Sequence, residues 1–271
     1  MMKQRKVIFT DHDIVKFCRA TKDTNIIHDP ATMEKLGKRV VVPGMFALSC
    51  AASLSCDFLR TKANSIKVLF NSLLSSGDFT TLVATEINGS GNEVRLSAIN
   101  HKDTLTTKDE YTRICHTNDL FRTDYPGILH RLDFHPDQLV SFRNLIHAED
   151  PEIAGFLFSV SYASQALLHA IREPRTEIEK EVEELINGKS GVSPFYHTLE
   201  IQIPSPFPSF LPGHSIDYFI HFEQEKKFKL YSAYVRCVSG ETVIFHSRYQ
   251  MIGINNQIIL RMAKDILHHK K

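Results

Sequence analysis

Apolar and polar positions along the first hundred residues fall into a helix-rich stretch followed by strand-like runs. Ile14, Val15, Phe17 and Cys18 recur at helical spacing behind Thr10, a good helix cap, and predict an amphipathic helix over 11–20. A short helix is predicted over 31–36 and ends at Gly37. From 45 to 59 almost every residue is apolar or small, including Phe46, Ala47, Leu48, Ala51, Ala52, Leu54 and Phe58. A helix apolar on most faces is a buried one. Strands are predicted at 65–72, 79–87, 93–100 and 105–115, with turns at Gly77-Asp78 and at 89–92.

The second half repeats this order. Phe134, Leu139, Val140 and Phe142 mirror Phe9, Ile14, Val15 and Phe17. A second apolar helix comes next at 156–171, with small residues at Ser159, Ser161, Ala163 and Ser164. Strands are predicted at 199–203, 215–222, 229–237 and 242–254, and Pro212-Gly213-His214 takes the place of Gly77-Asp78. The ordered match predicts a tandem repeat: residues 1–116, a connection at 117–131, and residues 132–271. A charged insertion near 173–193 carries a helix at 177–186, with Ile178, Val182, Leu185 and Ile186 facing inward. The alternative is an unrelated α+β second domain.

Composition narrows the function without naming it. The 271 residues are 42% hydrophobic, enough for a substantial core. With 32 basic and 31 acidic residues, the chain has no global electrostatic reason to bind nucleic acid or an anionic membrane. No apolar run is long enough to span a bilayer. Five scattered cysteines without a C-x-x-C pair suit reduced thiols and a cytoplasmic location. The histidines show no repeated ligand spacing, so no metal is expected.

The chemistry lies in Asp23, Asn25 and His28, followed by Gly44-Met45 at the head of the long apolar helix. A carboxylate and an imidazole five residues apart can hold one water and exchange protons near neutrality. A glycine amide at a helix head favours negative charge. The spacing resembles the MaoC-like hot-dog family of (R)-specific enoyl-thioester hydratases and dehydratases, whose signature runs roughly S-G-D-x-N-P-x-H and then H-G-M. Thr21, Lys22, Ile26 and Pro43 depart from it. Lys22 stands where the family often has a left-handed glycine.

The resemblance implies an α+β double hot dog, each repeat a long helix wrapped by an antiparallel sheet. It implies a hydro-lyase that interconverts trans-2-enoyl and (R)-3-hydroxyacyl thioesters carried on coenzyme A or an acyl carrier protein, with no bound cofactor. Asp23 and His28 would share the catalytic water and the Gly44 N–H would bind the thioester oxygen. Asn25, Met45, Ser49 and Ser53 would support the turn or the substrate. The second repeat lacks the motif, so it would serve as structural partner, in a monomer or a homodimer. The competing readings are a hot-dog acyl thioesterase and a non-catalytic acyl-binding or scaffold protein.

Overall fold

The computed structural model describes residues 2–70, 73–86, 93–100, 112–115, 128–132, 135–170, 192–209, 215–224 and 230–263. The first half runs β1 (Met2–Ile8), α1 (Asp11–Thr21), a 3₁₀ turn (Ile26–His28), α2 (Pro30–Lys35) and α3 (Gly44–Ala52). It continues with a second 3₁₀ turn (Ser53–Ser55), α4 (Cys56–Thr61), β2 (Ser65–Leu69), β3 (Phe79–Glu86), β4 (Glu93–Asn100) and β5 (Thr112–Cys115). The second half runs β6 (Ile128–Leu132), α5 (Pro136–Ile146), α6 (Pro151–Ala170), β7 (Val192–Gln202), β8 (Ile216–Gln224), β9 (Leu230–Ser239), β10 (Thr242–Asn255) and α7 (Asn256–Met262).

The ten strands form one antiparallel sheet in the order β1-β3-β4-β5-β2-β7-β10-β9-β8-β6. Adding five to each label of the first half reproduces the second, so the sheet carries the repeat in its topology. The seam is β2 against β7, where Ile66 faces Ile201 and Val68 faces Leu199 on the buried side. Lys67 and Glu200 form an ion pair of 2.6 Å on the other side.

The helices pack on the sheet's inner face. In α1, Thr10 and Asp13 form a capping box, and Ile14, Phe17 and Ala20 turn inward. Every residue of α3 from Met45 to Ala52 is buried. Ring contacts link the two halves through the core: Phe9 to Phe46 at 5.0 Å, Phe46 to Phe17 at 4.7 Å, Phe17 to Phe142 at 5.8 Å and Phe142 to Phe158 at 5.3 Å. Such pairs contribute roughly 0.5–1.5 kcal/mol each beyond their burial. Small residues bring α3 and α6 close enough for the Ser49 and Ser161 hydroxyls to bond at 3.1 Å. Three tyrosines on strands of the second half, Tyr196, Tyr218 and Tyr249, donate their hydroxyls to α6 carbonyls.

Several boundaries differ from the sequence pattern for identifiable reasons. β1 is invisible to the pattern because an exposed edge strand has no apolar alternation to show. Ile128–Leu132, mostly inside the expected connection, form β6 on the far edge and pair with β8. The helix expected over 45–59 breaks at Ser53, whose hydroxyl bonds the carbonyls of Cys50 and Ile146. β7 starts at Val192, so the end of the expected insertion is strand. The insertion helix at 177–186, the turns at 89–92 and 212–214, the first part of the 105–115 strand, and most of the connection lie outside the described residues.

Candidate active site

Helix α1 ends in the geometry that sets up the site. Lys22 caps it in the left-handed region (φ 57°, ψ 31°), and the Asp23 N–H closes the last turn onto the Cys18 carbonyl at 2.8 Å. A non-glycine residue there costs on the order of 1 kcal/mol. Lys22 is exposed and makes no ion pair with Asp23 among the described residues. Asp23 Oδ1 accepts the Asn25 N–H at 2.9 Å, and Asn25 Oδ1 accepts the Ile27 N–H at 3.3 Å. These two bonds fold the chain into the 3₁₀ turn and deliver His28 inward. Asp29 caps α2, with Pro30 at its first position, so one short segment both starts a helix and buries an imidazole.

Asp23 Oδ2 and His28 Nε2 are 3.9 Å apart, and both side chains are about nine-tenths buried. That separation is too long for a direct hydrogen bond and short enough for one oxygen atom to bond to both. His28 Nδ1 lies 2.7 Å from the Val41 carbonyl oxygen. A carbonyl only accepts, so Nδ1 is the nitrogen that donates to Val41, and Nε2 is the one turned toward Asp23. Val41 is held on both sides: its N–H bonds the Ile27 carbonyl at 3.0 Å, and it bridges to Ser75. The buried Arg39–Asp78 pair at 2.6 Å clamps the same loop to the turn before β3.

The Asp23 charge reaches two further protons. Burial, and then Asp23, push the Cys18 thiol up to about 12. Burial, and then Asp23, also raise the Tyr196 phenol of β7. The Tyr196 hydroxyl itself bonds the Ser164 carbonyl of α6.

Gly44 is the first residue of α3, and its N–H has no hydrogen-bond acceptor among the described residues. Its missing Cβ is used by a neighbour: an added methyl would lie 2.7 Å from Phe70 Cε1. The close approach at Gly44 is thus made by an aromatic ring in this conformation. Met45 is buried in the core beside it. The two serines are not brought to the turn. Ser49 and Ser53 lie about 140° and 180° round α3 from Gly44. Their hydroxyls bond α6 and the end of α5.

The Val41 carbonyl carries no sequence signal, because any residue supplies one. Tyr196 falls outside the expected strand. Phe70 is legible: it comes after Ile66 and Val68 at strand spacing, on the side that faces the helix. Among the described residues, no group of three histidine, cysteine or acidic side chains is placed to hold a metal. No described helix is long and apolar enough to cross a membrane.

No family model matches the sequence, and no curated protein does. Solved structures match the fold over nearly its whole length. A MaoC-like dehydratase from Phytophthora capsici is 12% identical across 92% of this chain and 94% of its own, with a TM-score of 0.54. A conserved hypothetical protein from Mycobacterium tuberculosis, described as having a double hotdog fold, is 9% identical across 94% and 96%, with a TM-score of 0.57. A Lactobacillus plantarum protein described as an oleoyl thioesterase is 6% identical across 94% and 97%, with a TM-score of 0.54. Likeness at these identities is one of architecture, and it agrees with the strand order and the paired helices: the chain has the double hot-dog fold.

Proposed function

We propose that the chain catalyses the reversible hydration of trans-2-enoyl thioesters to (R)-3-hydroxyacyl thioesters. The observation that carries this reading is the 3.9 Å gap between Asp23 Oδ2 and His28 Nε2, in a ring whose orientation is fixed by the bond from Nδ1 to Val41. A water bound in that gap gives up a proton to the pair as its oxygen bonds to C3 of the enoyl group. A proton returns from the pair to C2 on the same face, so the elements of water add syn. Charge that grows on the thioester oxygen is met by the unengaged Gly44 N–H at the head of α3. No bound cofactor takes part. The thiol carrier is coenzyme A or an acyl carrier protein's phosphopantetheine arm. The second half serves as structural partner, in a monomer or a homodimer.

Incubation with crotonyl-CoA tests this directly, by following conjugated-thioester absorbance and free thiol together. Loss of conjugation without thiol release is expected. Thiol release would mark a thioesterase. Silence toward both crotonyl-CoA and a crotonyl carrier protein would mark a non-catalytic acyl-binding protein.

A further inference from the structure

The surroundings of Gly44 specify more than the oxyanion contact. Gly44, Ala47 and Ala51 form a strip of small residues along one face of α3, and Val68 of β2 and Leu96 of β4 lie opposite. Between them is an apolar cavity of only about 20 Å³, closed at the Gly44 end by the ring of Phe70. Room for one water-sized group needs at least about 10–15 Å³, so the cavity as it stands has space for about one methyl-sized group. Larger grooves of about 340 and 1100 Å³ lie between β1 and α5. The smaller reaches Phe46 and Cys50 on the opposite face of α3, away from the Gly44 amide.

The backbone of Phe70 is fixed. Its N–H donates to the His197 carbonyl at 3.0 Å, which ties the residue to the β2–β7 seam. The ring is only half-buried, and it rests against the Cα of Gly44, close enough to forbid a Cβ there. An acyl chain whose thioester oxygen sits on the Gly44 N–H, and which runs along this face of α3, meets the Phe70 ring before it reaches the cavity.

We propose that Phe70 is a stopper that sets acyl length and restricts this site to short-chain enoyl thioesters. This rests on the hydratase reading, and it concerns the substrate class of the same site. Removal of the ring opens a hole of the size that holds a benzene, on the order of 150 Å³ when dry and apolar. Longer chains then run along the Gly44–Ala47–Ala51 strip.

The test compares kcat/KM for trans-2-enoyl-CoA substrates of four, six, eight and ten carbons in the unmodified protein, Phe70→Leu and Phe70→Ala. In the unmodified protein kcat/KM is expected to fall at least tenfold from four to eight carbons. Phe70→Ala should bring the two within about threefold or reverse them, with Phe70→Leu between. A flat profile in the unmodified protein, or an unchanged profile in the variants, overturns the proposal. If Phe70→Ala does not fold, Phe70→Leu carries the comparison. If the unmodified protein hydrates neither these substrates nor a crotonyl carrier protein, the hydratase reading has failed and calorimetric titration decides the stopper alone. Butyryl-CoA binding at least tenfold tighter than octanoyl-CoA, with the difference lost in the variants, supports it; equal binding overturns it.

Discussion

Lys22 and His147 hold the same place in the two halves, each a left-handed residue that ends a helix (φ 57° and 53°), and the chains part immediately afterwards. After Lys22 come Asp23 and then a folded excursion over 26–43 that carries His28 and Val41 before α3 begins. After His147 comes a buried alanine, Ala148, and α6 begins within three residues. Asn25 and Asp150 stand at matching offsets, and each caps the next element: Asn25 a 3₁₀ turn, Asp150 the long helix itself. The helix heads differ too. α3 opens with Gly44, which has an amide to offer, and α6 opens with Pro151, which has none. A shared frame therefore holds a buried carboxylate–imidazole corner in one half and a plain helix start in the other.

The largest effect should come from the clamp that holds this excursion. Arg39→Ala leaves the wholly buried Asp78 carboxylate without its guanidinium partner. It should cost about 3–5 kcal/mol in urea unfolding. A loss below about 1 kcal/mol would show that the excursion stands without it. Next, Asp23→Asn and His28→Ala should each reduce turnover at least about a hundredfold with a small change in Tm. Near-normal turnover in either would erase the contrast between the halves. Gly44→Ala drives a methyl into the Phe70 ring and should cost about 1–3 kcal/mol, together with a raised KM as the ring is displaced. The weakest change is Asp150→Ala, expected to remove about 1 kcal/mol of stability through lost capping and to leave kcat/KM unaltered. Asn25→Ala should do the reverse, lowering kcat/KM with a smaller loss of stability, because its cap positions His28.

How much of the molecule is legible in the sequence depends on how each feature is encoded. The buried helices and central strands announce themselves because their apolar residues are numerous and periodic. The resemblance puts Lys22 where a left-handed glycine often stands, and its φ agrees. The edge strands β1 and β6 are hidden, since edge residues bury little and β1 is dominated by Lys3, Gln4, Arg5 and Lys6. The turn pairing Asp23 with His28 is readable from residue types at fixed spacing. The lock on the imidazole is not, because a backbone carbonyl contributed by Val41 is the same atom in every residue. Ser49 and Ser53 look available on an apolar helix, yet their hydroxyls join the two halves. A polar group on such a helix finds its partner across the nearest packed surface, and only the packing says which surface that is.

The central seam also fixes a stoichiometry. With β2 and β7 hydrogen-bonded inside one polypeptide, the pairing that two separate copies would make by association is covalently guaranteed, at any dilution. Two identical copies would present two equivalent corners, whereas this molecule offers one. A tight ligand of the Asp23–His28 corner should accordingly saturate at a single equivalent per chain, with an endpoint independent of protein concentration.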